Sequence, residues 1–480
     1  MPAPGAPLRD AAIPALTKAL VSLVVLGTGF RALSDDDYAR IVIAQGFAEH
    51  PSFDPSGTSW LPFPFWLQGS AMRIFGAQVT TARAVAFGSG VASIVLVWLA
   101  ARWLGASRRG AILGALLAAI FPYSAWLGVA AVPELPTAAL TLLGVAALSR
   151  SGAERLAGGV ALSLACLSRY EPWPIAFLFA GFSLYDARAS RSRSLALAGV
   201  LGALGSIVWL LHGKLHHGHA LFFVARVSEY RRAIGAGQFD VAGALTAFPL
   251  RVVRAEPELF TLAVVFGTAS LLAGTGCLRR HFRATVAALA LLVFLVAGDL
   301  RDGAPTHHAE RALLFIWLWL ALLSADAFDG SFDRARGALR AACIAVPGLV
   351  VAPMIAIVRP WYAARDGFID REAELAIGRS AAEAAGARER LAVATRDFGF
   401  YAVLAGFASP GRAVPIDDRD PRRRDRVDHL ASTATLEARL RALDATWLVL
   451  EAEHRRLAVT LGPVRTESPR YLLVRVAPSN

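Results

Sequence analysis

The sequence has little charge for its length. Only 18% of its 480 residues are charged, whereas 55% are hydrophobic, and the mean hydropathy is +0.49. A soluble domain needs more charged surface than this composition supplies. The composition therefore excludes an ordinary soluble protein and predicts a polytopic protein embedded in a lipid bilayer.

Cysteine is also scarce. The three cysteines, Cys166, Cys277 and Cys343, lie in or at the ends of apolar runs, without the spacing of zinc sites or disulfide frameworks. The sequence also lacks a Gly-rich phosphate loop and a nucleophile elbow. These absences argue against redox chemistry, an ATPase and a serine hydrolase.

The excess of positive charge comes mainly from arginine. Lys and Arg together number 49 against 37 Asp and Glu, which gives a net charge of +12. Most of these residues fall in short loops between apolar runs, where positive charge usually fixes membrane topology. Because no basic module interleaved with aromatic residues accompanies them, nucleic acid is not an expected partner.

Long apolar runs dominate the first three quarters of the chain. A helix that crosses a bilayer needs about 20 mostly apolar residues. The predicted fold class is mainly α, a polytopic membrane helical bundle with about 11 transmembrane helices, whose runs begin near Ile13, Ala84, Gly110, Pro133, Leu156, Pro172, Leu195, Pro257, Ala284, Ala312 and Ala341.

The distribution of arginine predicts the orientation in the inner (plasma) membrane. The short loops on one side of the bundle are rich in arginine, whereas those on the opposite side contain only Arg169 and Arg301. The positive-inside rule therefore makes the arginine-rich side cytoplasmic. The amino terminus, with Arg9 and Lys18, is then inside and the chain after Arg359 is outside. A cleaved signal peptide is the alternative for the first run. The arginine-rich loops contain Arg108, Arg109, Arg150, Arg155, Arg188, Arg191, Arg193, Arg279, Arg280, Arg283, Arg334, Arg336 and Arg340.

Two domains follow from these patterns. Residues 1–358 are expected to form the transmembrane module, with long outer loops at 34–83 and 212–256. Residues 359–480 are expected to form a small extracytoplasmic α/β domain. The predicted strands are 391–395, 412–416, 446–451 and 471–476, and the predicted helices are 372–391, 435–443 and 454–461. The charge run 417–428 predicts either a solvated loop or a surface that recognises the acceptor.

Three consecutive aspartates, Asp35, Asp36 and Asp37, directly follow the first apolar run. A carboxylate is costly at a membrane edge, so this cluster is the first candidate for catalysis. Successive residues of a helix point about 100° apart, so the three cannot all face one pocket. Asp36 is the preferred general base, and Asp35 and Asp37 are the alternatives. The competing interpretation is an acidic cap for a helix that begins near Tyr38.

Further motifs follow the aspartates in a consistent order: Tyr38, the proline-bearing aromatic stretch 61–65, Phe75 with Gly76, and Arg83. Over roughly residues 13–330 the chain thereby resembles the polytopic C-type glycosyltransferases, the group of the protein mannosyltransferases and the bacterial aminoarabinose transferases. The resemblance implies a membrane enzyme with a polyprenyl-phosphate sugar donor. Here the tyrosine directly follows the acidic run, which leaves open which aspartate matches the family's acidic pair.

Such a transfer makes three chemical demands. The acceptor hydroxyl needs a carboxylate within hydrogen-bond reach to take its proton. The departing phosphate needs fixed cations, and the lipid tail needs an apolar groove between helices. A single carboxylate base without a covalent intermediate predicts inversion of the anomeric centre.

Ionisable residues at later outer ends are candidates for substrate binding. Glu134, flanked by prolines, is expected to orient the acceptor or to bind a divalent cation, unless it only caps its helix. Arg169 and Arg311 are candidate phosphate ligands, with Glu171 beside the first of them. The alternatives are an ion pair between Arg169 and Glu171 and a topological or capping role for Arg311.

Four histidines cluster in the second outer loop, His212, His216, His217 and His219. No acidic residue or cysteine lies close to them in sequence, which argues against a metal site. His216 and His217 are therefore expected to contact phosphate or lipid headgroups, and plain solvation at the membrane interface is the alternative. No metal ligand and no cofactor is assigned, although the use of a divalent cation stays open.

These observations predict a membrane glycosyltransferase of the C type. Its expected partners are a polyprenyl-phosphate sugar donor and a lipid, glycan or protein acceptor on the outer face. The alternative is a non-catalytic or transporter-like protein of envelope assembly. Transporters usually place ionisable groups near mid-membrane in two related halves, whereas here these groups gather at outer ends and no repeat is visible.

Overall fold

The computed structural model describes residues 9–235, 241–301, 308–334, 368–395, 397–417 and 427–477, together with residues 345 and 422. The predicted run near Ala341 and most of the charge run 417–428 lie outside the described residues.

The first part of the chain is a bundle of helices with short connections. In chain order its helices are α1 Arg9–Gly27, α2 Asp35–Glu49, α3 Phe63–Phe75, α4 Val79–Leu104, α5 Arg108–Ile120, α6 Pro122–Leu127, α7 Glu134–Ala147, α8 Gly152–Cys166, α9 Pro172–Ser190, α10 Arg193–His216, α11 Phe222–Ala233, α12 Val241–Ala255, α13 Pro257–Leu272, α14 Cys277–Asp299 and α15 Leu314–Arg334. A polytopic, mainly helical membrane bundle is thus confirmed.

Five helical segments of the described chain are long and apolar enough to cross a bilayer. They are α1, α4, α10, α14 and Ala309–Arg334, and a sixth arises if the bent pair α12 and α13, which meet at 88°, counts as one span. The remaining predicted runs form α5, α7, α8 and α9, and α7, with 14 residues, is a shorter apolar helix. Fourteen helical residues extend about 21 Å, less than the hydrocarbon core. The predicted count of eleven spans therefore stays a prediction.

Lys18 differs from its predicted place at the cytoplasmic end of the first span. It lies in the middle of α1 and is fully buried, with its ammonium group donating to the backbone carbonyl oxygen of Ser124 in α6. The apolar sequence around Lys18 continues the helix through the bundle, so this cation is an internal contact and carries no topological information.

Small residues allow α8 and α10 to pack closely. A Cβ atom added at Gly205 of α10 would lie 2.2 Å from the carbonyl oxygen of Ser163 on α8. One added at Gly159 of α8 would lie 2.6 Å from the carbonyl oxygen of Ala198. Glycine at these positions lets the two backbones approach, as in other membrane helix pairs. The pair supports the turn between α8 and α9, which contains two of the candidate site residues.

The C-terminal part is a small α/β domain, as predicted. Its helices are α16 Glu372–Ala384, α17 Phe400–Phe407, α18 Thr433–Ala442 and α19 Arg455–Leu461, and its strands are β1 Leu391–Ala394, β2 Ala413–Pro415, β3 Trp447–Glu451, β4 Val464–Glu467 and β5 Tyr471–Arg475. The sheet order is β2-β1-β3-β5-β4. Strands β2, β1 and β3 are parallel, and β5 is antiparallel to both β3 and β4.

Three features of this domain differ from the sequence prediction. Strand β4 was not predicted, because its alternately exposed residues form no apolar run. Helix α17 was not predicted either. The predicted helix 372–391 ends earlier, at Ala384, where Gly386 donates its backbone N–H to Glu389 Oε2 at 2.8 Å and a turn leads into β1.

The C-terminal domain packs directly on α2, the helix that begins at the aspartate cluster. Gln45 Nε2 donates to the carbonyl oxygen of Ala405 in α17 at 2.9 Å. Ser409 donates to Glu49 Oε1 at 2.8 Å. Because α2 lies between the membrane bundle and this domain, its position depends on both.

We expect Gly205→Ala to lower the thermal unfolding midpoint of the detergent-solubilised protein. The added methyl group collides with a backbone carbonyl that cannot rotate away, and such overpacking costs about 1–3 kcal/mol. Gly181→Ala is the matched control, since a Cβ atom at Gly181 in α9 meets no atom within 4 Å. Equal midpoints for the two variants would contradict the close packing of α8 and α10.

Candidate active site

Asp37 caps the start of α2. Its Oδ2 accepts hydrogen bonds from the backbone N–H groups of Leu33 (3.3 Å) and Ser34 (3.2 Å), and its Oδ1 accepts one from Ala131 (2.9 Å). Burial raises the pKa of Asp37 to about 6, although Arg311 and the backbone N–H groups act to lower it. A raised pKa suits a general base. However, the side chain is 2% exposed and both oxygens are engaged, so the capping interpretation fits Asp37.

Asp35 pairs with the C-terminal domain. Arg371 donates to both of its carboxylate oxygens, from Nε at 2.9 Å and from Nη2 at 3.0 Å. The same guanidinium contacts Glu374 at 3.1 Å and Asp397 at 2.7 Å. Burial acts to lower the pKa of Arg371, but Asp35 and Asp397 raise it overall, so the cation is stabilised. Asp35 is therefore part of a domain interface.

Asp36 is the aspartate that remains accessible. Its side chain is 51% exposed, and within the described part of the chain it makes no hydrogen bond. Its Oδ2 lies 3.8 Å from Nη1 of Arg311, and Nη2 of Arg311 donates to the Ser34 hydroxyl at 2.9 Å. Arg311 belongs to the 3₁₀ helix Ala309–Leu313 directly before α15. Of the three aspartates, Asp36 is therefore the one whose carboxylate is open to solvent and not held by a hydrogen bond to the described residues.

Glu134 connects the two arginines predicted to bind phosphate. It is the first residue of α7, and its Oε1 lies 2.5 Å from Nη1 of Arg169 and 3.8 Å from Nη1 of Arg311. Arg169 also donates from Nε to Glu171 Oε1 at 3.0 Å, so the alternative of an Arg169–Glu171 pair is present within the same network. Because guanidinium groups surround Glu134, it is poorly suited to bind a divalent cation. The structure thus brings Asp36, Glu134, Arg169, Glu171 and Arg311 together.

Arg40 belongs to the site but was missed in the sequence. It is 7% exposed, and its guanidinium carbon lies 4.5 Å from the centroid of the Trp60 ring, a cation–π contact. Burial lowers the pKa of Arg40, while Glu134 and Asp36 act to raise it. A signal was available: Asp36 and Arg40 are four residues apart, a spacing that places both on one helix face.

A small, partly open cleft lies beside these residues. Four of its lining residues are charged, and the others come from α7, α9, α14, α15 and the 3₁₀ helix before α15. Apart from two threonines, these other residues are apolar or small. The cleft is lined by Glu134, Thr137, Ala138, Thr141, Arg169, Glu171, Pro172, Ile175, Leu291, Arg311, Ala312, Leu314 and Phe315.

His216 and His217 are not among the residues that line this cleft. The ring of His216 lies 4.6 Å from that of His212, and His217 Nε2 lies 3.7 Å from Asp54 Oδ2. Their role in substrate binding stays a prediction. The sequence argument against a metal considered only neighbours along the chain, whereas folding places the distant Asp54 beside the histidines.

Solved structures share this architecture. ArnT from Cupriavidus metallidurans bound to undecaprenyl phosphate aligns over 98% of both chains, with a TM-score of 0.62 and 15% identity. The apo state of ArnT gives a TM-score of 0.59 at 14% identity, over 96% of this chain and 97% of that one. The Archaeoglobus fulgidus oligosaccharyltransferase in the apo form gives 0.54 at 15% identity, over 94% of this chain and 71% of that one.

The chain has a C-type glycosyltransferase fold. Residues 50–212, about a third of the chain, also match the family described as dolichyl-phosphate-mannose-protein mannosyltransferase. No curated protein sequence matches the chain.

The resemblance predicted from the order of motifs is therefore confirmed. The C-type glycosyltransferase fold extends beyond residues 13–330, because the alignment with ArnT includes nearly the whole chain. The C-terminal domain, which contributes Arg371 to the aspartate cluster, is thus part of the shared architecture.

Asp37→Asn is expected to destabilise the protein, whereas Asp36→Asn is expected to leave the unfolding midpoint unchanged. In Asp37→Asn, an amide NH₂ group replaces one of the two carboxylate oxygens that accept hydrogen bonds from backbone N–H groups. At least one of these N–H groups then loses its acceptor, and a buried unsatisfied donor costs about 1–3 kcal/mol. Thermal unfolding followed by intrinsic fluorescence measures both. A lower midpoint for Asp36→Asn alone would reverse the assignment of cap and accessible carboxylate.

Arg371→Ala is expected to loosen the C-terminal domain from α2. Removal of the guanidinium leaves Asp35 without its bidentate partner, so hydrogen–deuterium exchange of α2 amides should accelerate. Arg379→Ala is the matched control, because Arg379 lies on α16, which directly follows Arg371, and pairs with Glu372 in an exposed contact. Unchanged α2 exchange in Arg371→Ala would show that this ion pair does not anchor the helix.

Proposed function

We propose that this protein is a membrane glycosyltransferase that transfers a sugar from a polyprenyl-phosphate-linked donor to a lipid, glycan or protein acceptor. The observation that carries the proposal is the accessible Asp36 carboxylate, 3.8 Å from Arg311, which lines a cleft whose uncharged lining residues are largely apolar. A catalytic carboxylate, a phosphate-binding cation and a lipid groove are the three elements that this reaction needs.

The donor would place its phosphate beside the two arginines of the cleft and its isoprenoid tail along the apolar lining residues. Arg169 and Arg311 both line the cleft, and guanidinium groups suit bidentate contact with phosphate. Ile175, Leu291 and Phe315 supply apolar surface in the same cleft. The ligand bound in the ArnT structure, undecaprenyl phosphate, has this chemistry and supports the proposal.

Asp36 would act as the general base. The acceptor oxygen forms a bond to the anomeric carbon while the bond from that carbon to the phosphate oxygen breaks. The hydroxyl proton passes to Asp36 and then to water, and polyprenyl phosphate leaves with its charge stabilised by Arg311. Since one carboxylate serves without a covalent intermediate, the product should have the inverted anomeric configuration.

The proposed location of this chemistry is the outer face of the inner membrane. By the positive-inside rule the arginine-rich loops lie on the cytoplasmic side of the bundle, opposite the proposed site. In that orientation the amino terminus is cytoplasmic, and α2, the proposed site and the C-terminal domain are extracytoplasmic. The C-terminal domain, which contacts α2, is then placed where an acceptor arrives.

Asp36→Asn and Arg311→Gln should separate chemistry from donor binding. Without the base, kcat should fall by about 10²–10⁴-fold while donor affinity is retained, because the phosphate contacts persist. Without the Arg311 cation, the main effect should be a lower affinity for the donor, seen as a higher KM and weaker competition by polyprenyl phosphate. Transfer from a synthetic polyprenyl-phosphate sugar in detergent or membranes measures kcat and KM, and competition by polyprenyl phosphate measures binding.

Two variants control for general effects of charge removal. Glu383→Gln changes an exposed carboxylate on α16, and Arg301→Gln changes an exposed cation between α14 and the 3₁₀ helix. Both should retain wild-type kinetics. Undiminished transfer in Asp36→Asn, with a folded protein, would overturn the assignment of the base. Undiminished transfer after replacement of all three aspartates would overturn the site.

A further inference from the structure

A second polar cluster lies at the end of α10, apart from the proposed catalytic residues. Asp54 Oδ2 is 3.4 Å from His212 Nε2 and 3.7 Å from His217 Nε2. One ligand atom from each residue lies within 4.8 Å of the other two. The side chains of Asp54 and His212 are each 10% exposed, and that of His217 is 30% exposed. The three residues come from two segments about 160 positions apart in sequence, so folding brought them together.

We propose that Asp54, His212 and His217 bind a divalent transition metal ion, for which Zn²⁺ is the best fit. Zinc in proteins lies about 2.0–2.2 Å from nitrogen and carboxylate ligands in tetrahedral geometry, which places neighbouring ligand atoms roughly 3.4 Å apart. The separations of 3.4 and 3.7 Å match this spacing. The 3.7 Å between Asp54 Oδ2 and His217 Nε2 is too long for a direct hydrogen bond. Hydrogen bonds from Asp54 to both histidines therefore do not account for the meeting of the three side chains.

The surroundings hold the three ligands in place. Asp54 Oδ1 accepts from the Ser56 hydroxyl at 3.1 Å and from the Gly57 N–H at 3.0 Å, which leaves Oδ2 directed at the histidines. The ring of His217 stacks on Phe222 at a centroid distance of 3.9 Å. Such outer contacts orient metal ligands in known sites.

The ligand set also indicates which ions are favoured. Two imidazoles with one carboxylate suit zinc and related transition metals, whereas magnesium and calcium prefer all-oxygen sites. The partial exposure of His217 leaves room for water as a fourth ligand. This site is therefore distinct in chemistry from the arginine-rich cleft, which favours anions.

The proposed metal would anchor the loop that completes the catalytic site. Asp54 belongs to the connection between α2 and α3, which also carries Ser59 and Trp60. The Ser59 carbonyl accepts from the Tyr170 hydroxyl at 2.8 Å, and the Trp60 ring covers Arg40. An ion that fixes Asp54 to the end of α10 would limit the motion of this loop over Arg40.

The test uses tag-free, full-length protein in detergent, stripped with EDTA and then incubated with ZnCl₂ and desalted. We expect one retained zinc per chain by elemental analysis, a higher unfolding midpoint with zinc, and tetrahedral absorption bands when Co²⁺ replaces zinc. His217→Ala and Asp54→Asn should each lose the retained metal and the shift in midpoint. These measurements do not depend on sugar transfer, so their failure is distinguishable from failure of the proposed function.

Two histidine variants provide matched controls. His219→Ala alters the same segment outside the cluster, and His454→Ala alters a second group of potential ligands, with Glu451 and Glu453, in the C-terminal domain. Both should retain the zinc. Absence of retained zinc in the wild type would overturn the proposal. Loss in His454→Ala but not in His217→Ala, or equal retention in all variants, would also overturn it.

Discussion

The arrangement of this protein depends on the pairing of a buried carboxylate at the edge of the membrane bundle. Glu134 has a side chain that is 1% exposed, and it lies between Arg169 and Arg311. A buried charge left without a partner is strongly destabilising, whereas a paired one is tolerated. Since these residues come from three separate segments, their pairing fixes the start of α7, the turn before α9 and the 3₁₀ helix before α15 at one point.

The aspartate cluster holds the accessible carboxylate of Asp36 near Arg311. Asp37 engages backbone N–H groups and Asp35 engages Arg371, so the first turn of α2 is fixed from the bundle and from the C-terminal domain. Asp36 lies between them and projects from the helix in a different direction because each residue advances the helix by about 100°. Its two neighbours provide rigidity, and Asp36 retains the exposure that a proton acceptor needs.

A chain of aromatic contacts links this region to the end of α10. Trp209 donates from Nε1 to the Tyr170 hydroxyl at 3.2 Å, and Tyr170 in turn donates to Ser59. Trp60 then covers Arg40, on the same face of α2 as Asp36. The proposed metal ligands lie at the far end of this chain. The position of the loop, the position of Arg40 and the carboxylate of Asp36, the proposed base, are therefore physically connected.

The sequence by itself determined the membrane class, the helical runs, most strands of the C-terminal sheet and the presence of candidate charges, because hydrophobic periodicity and composition act locally. It did not determine β4, an exposed edge strand without an apolar run. The separate roles of the three aspartates, the pairing of Asp35 with Arg371 and the meeting of Asp54 with His217 were decided only by tertiary structure. Each depends on segments far apart in sequence, and the burial that gives such contacts their energy exists only after the chain has packed.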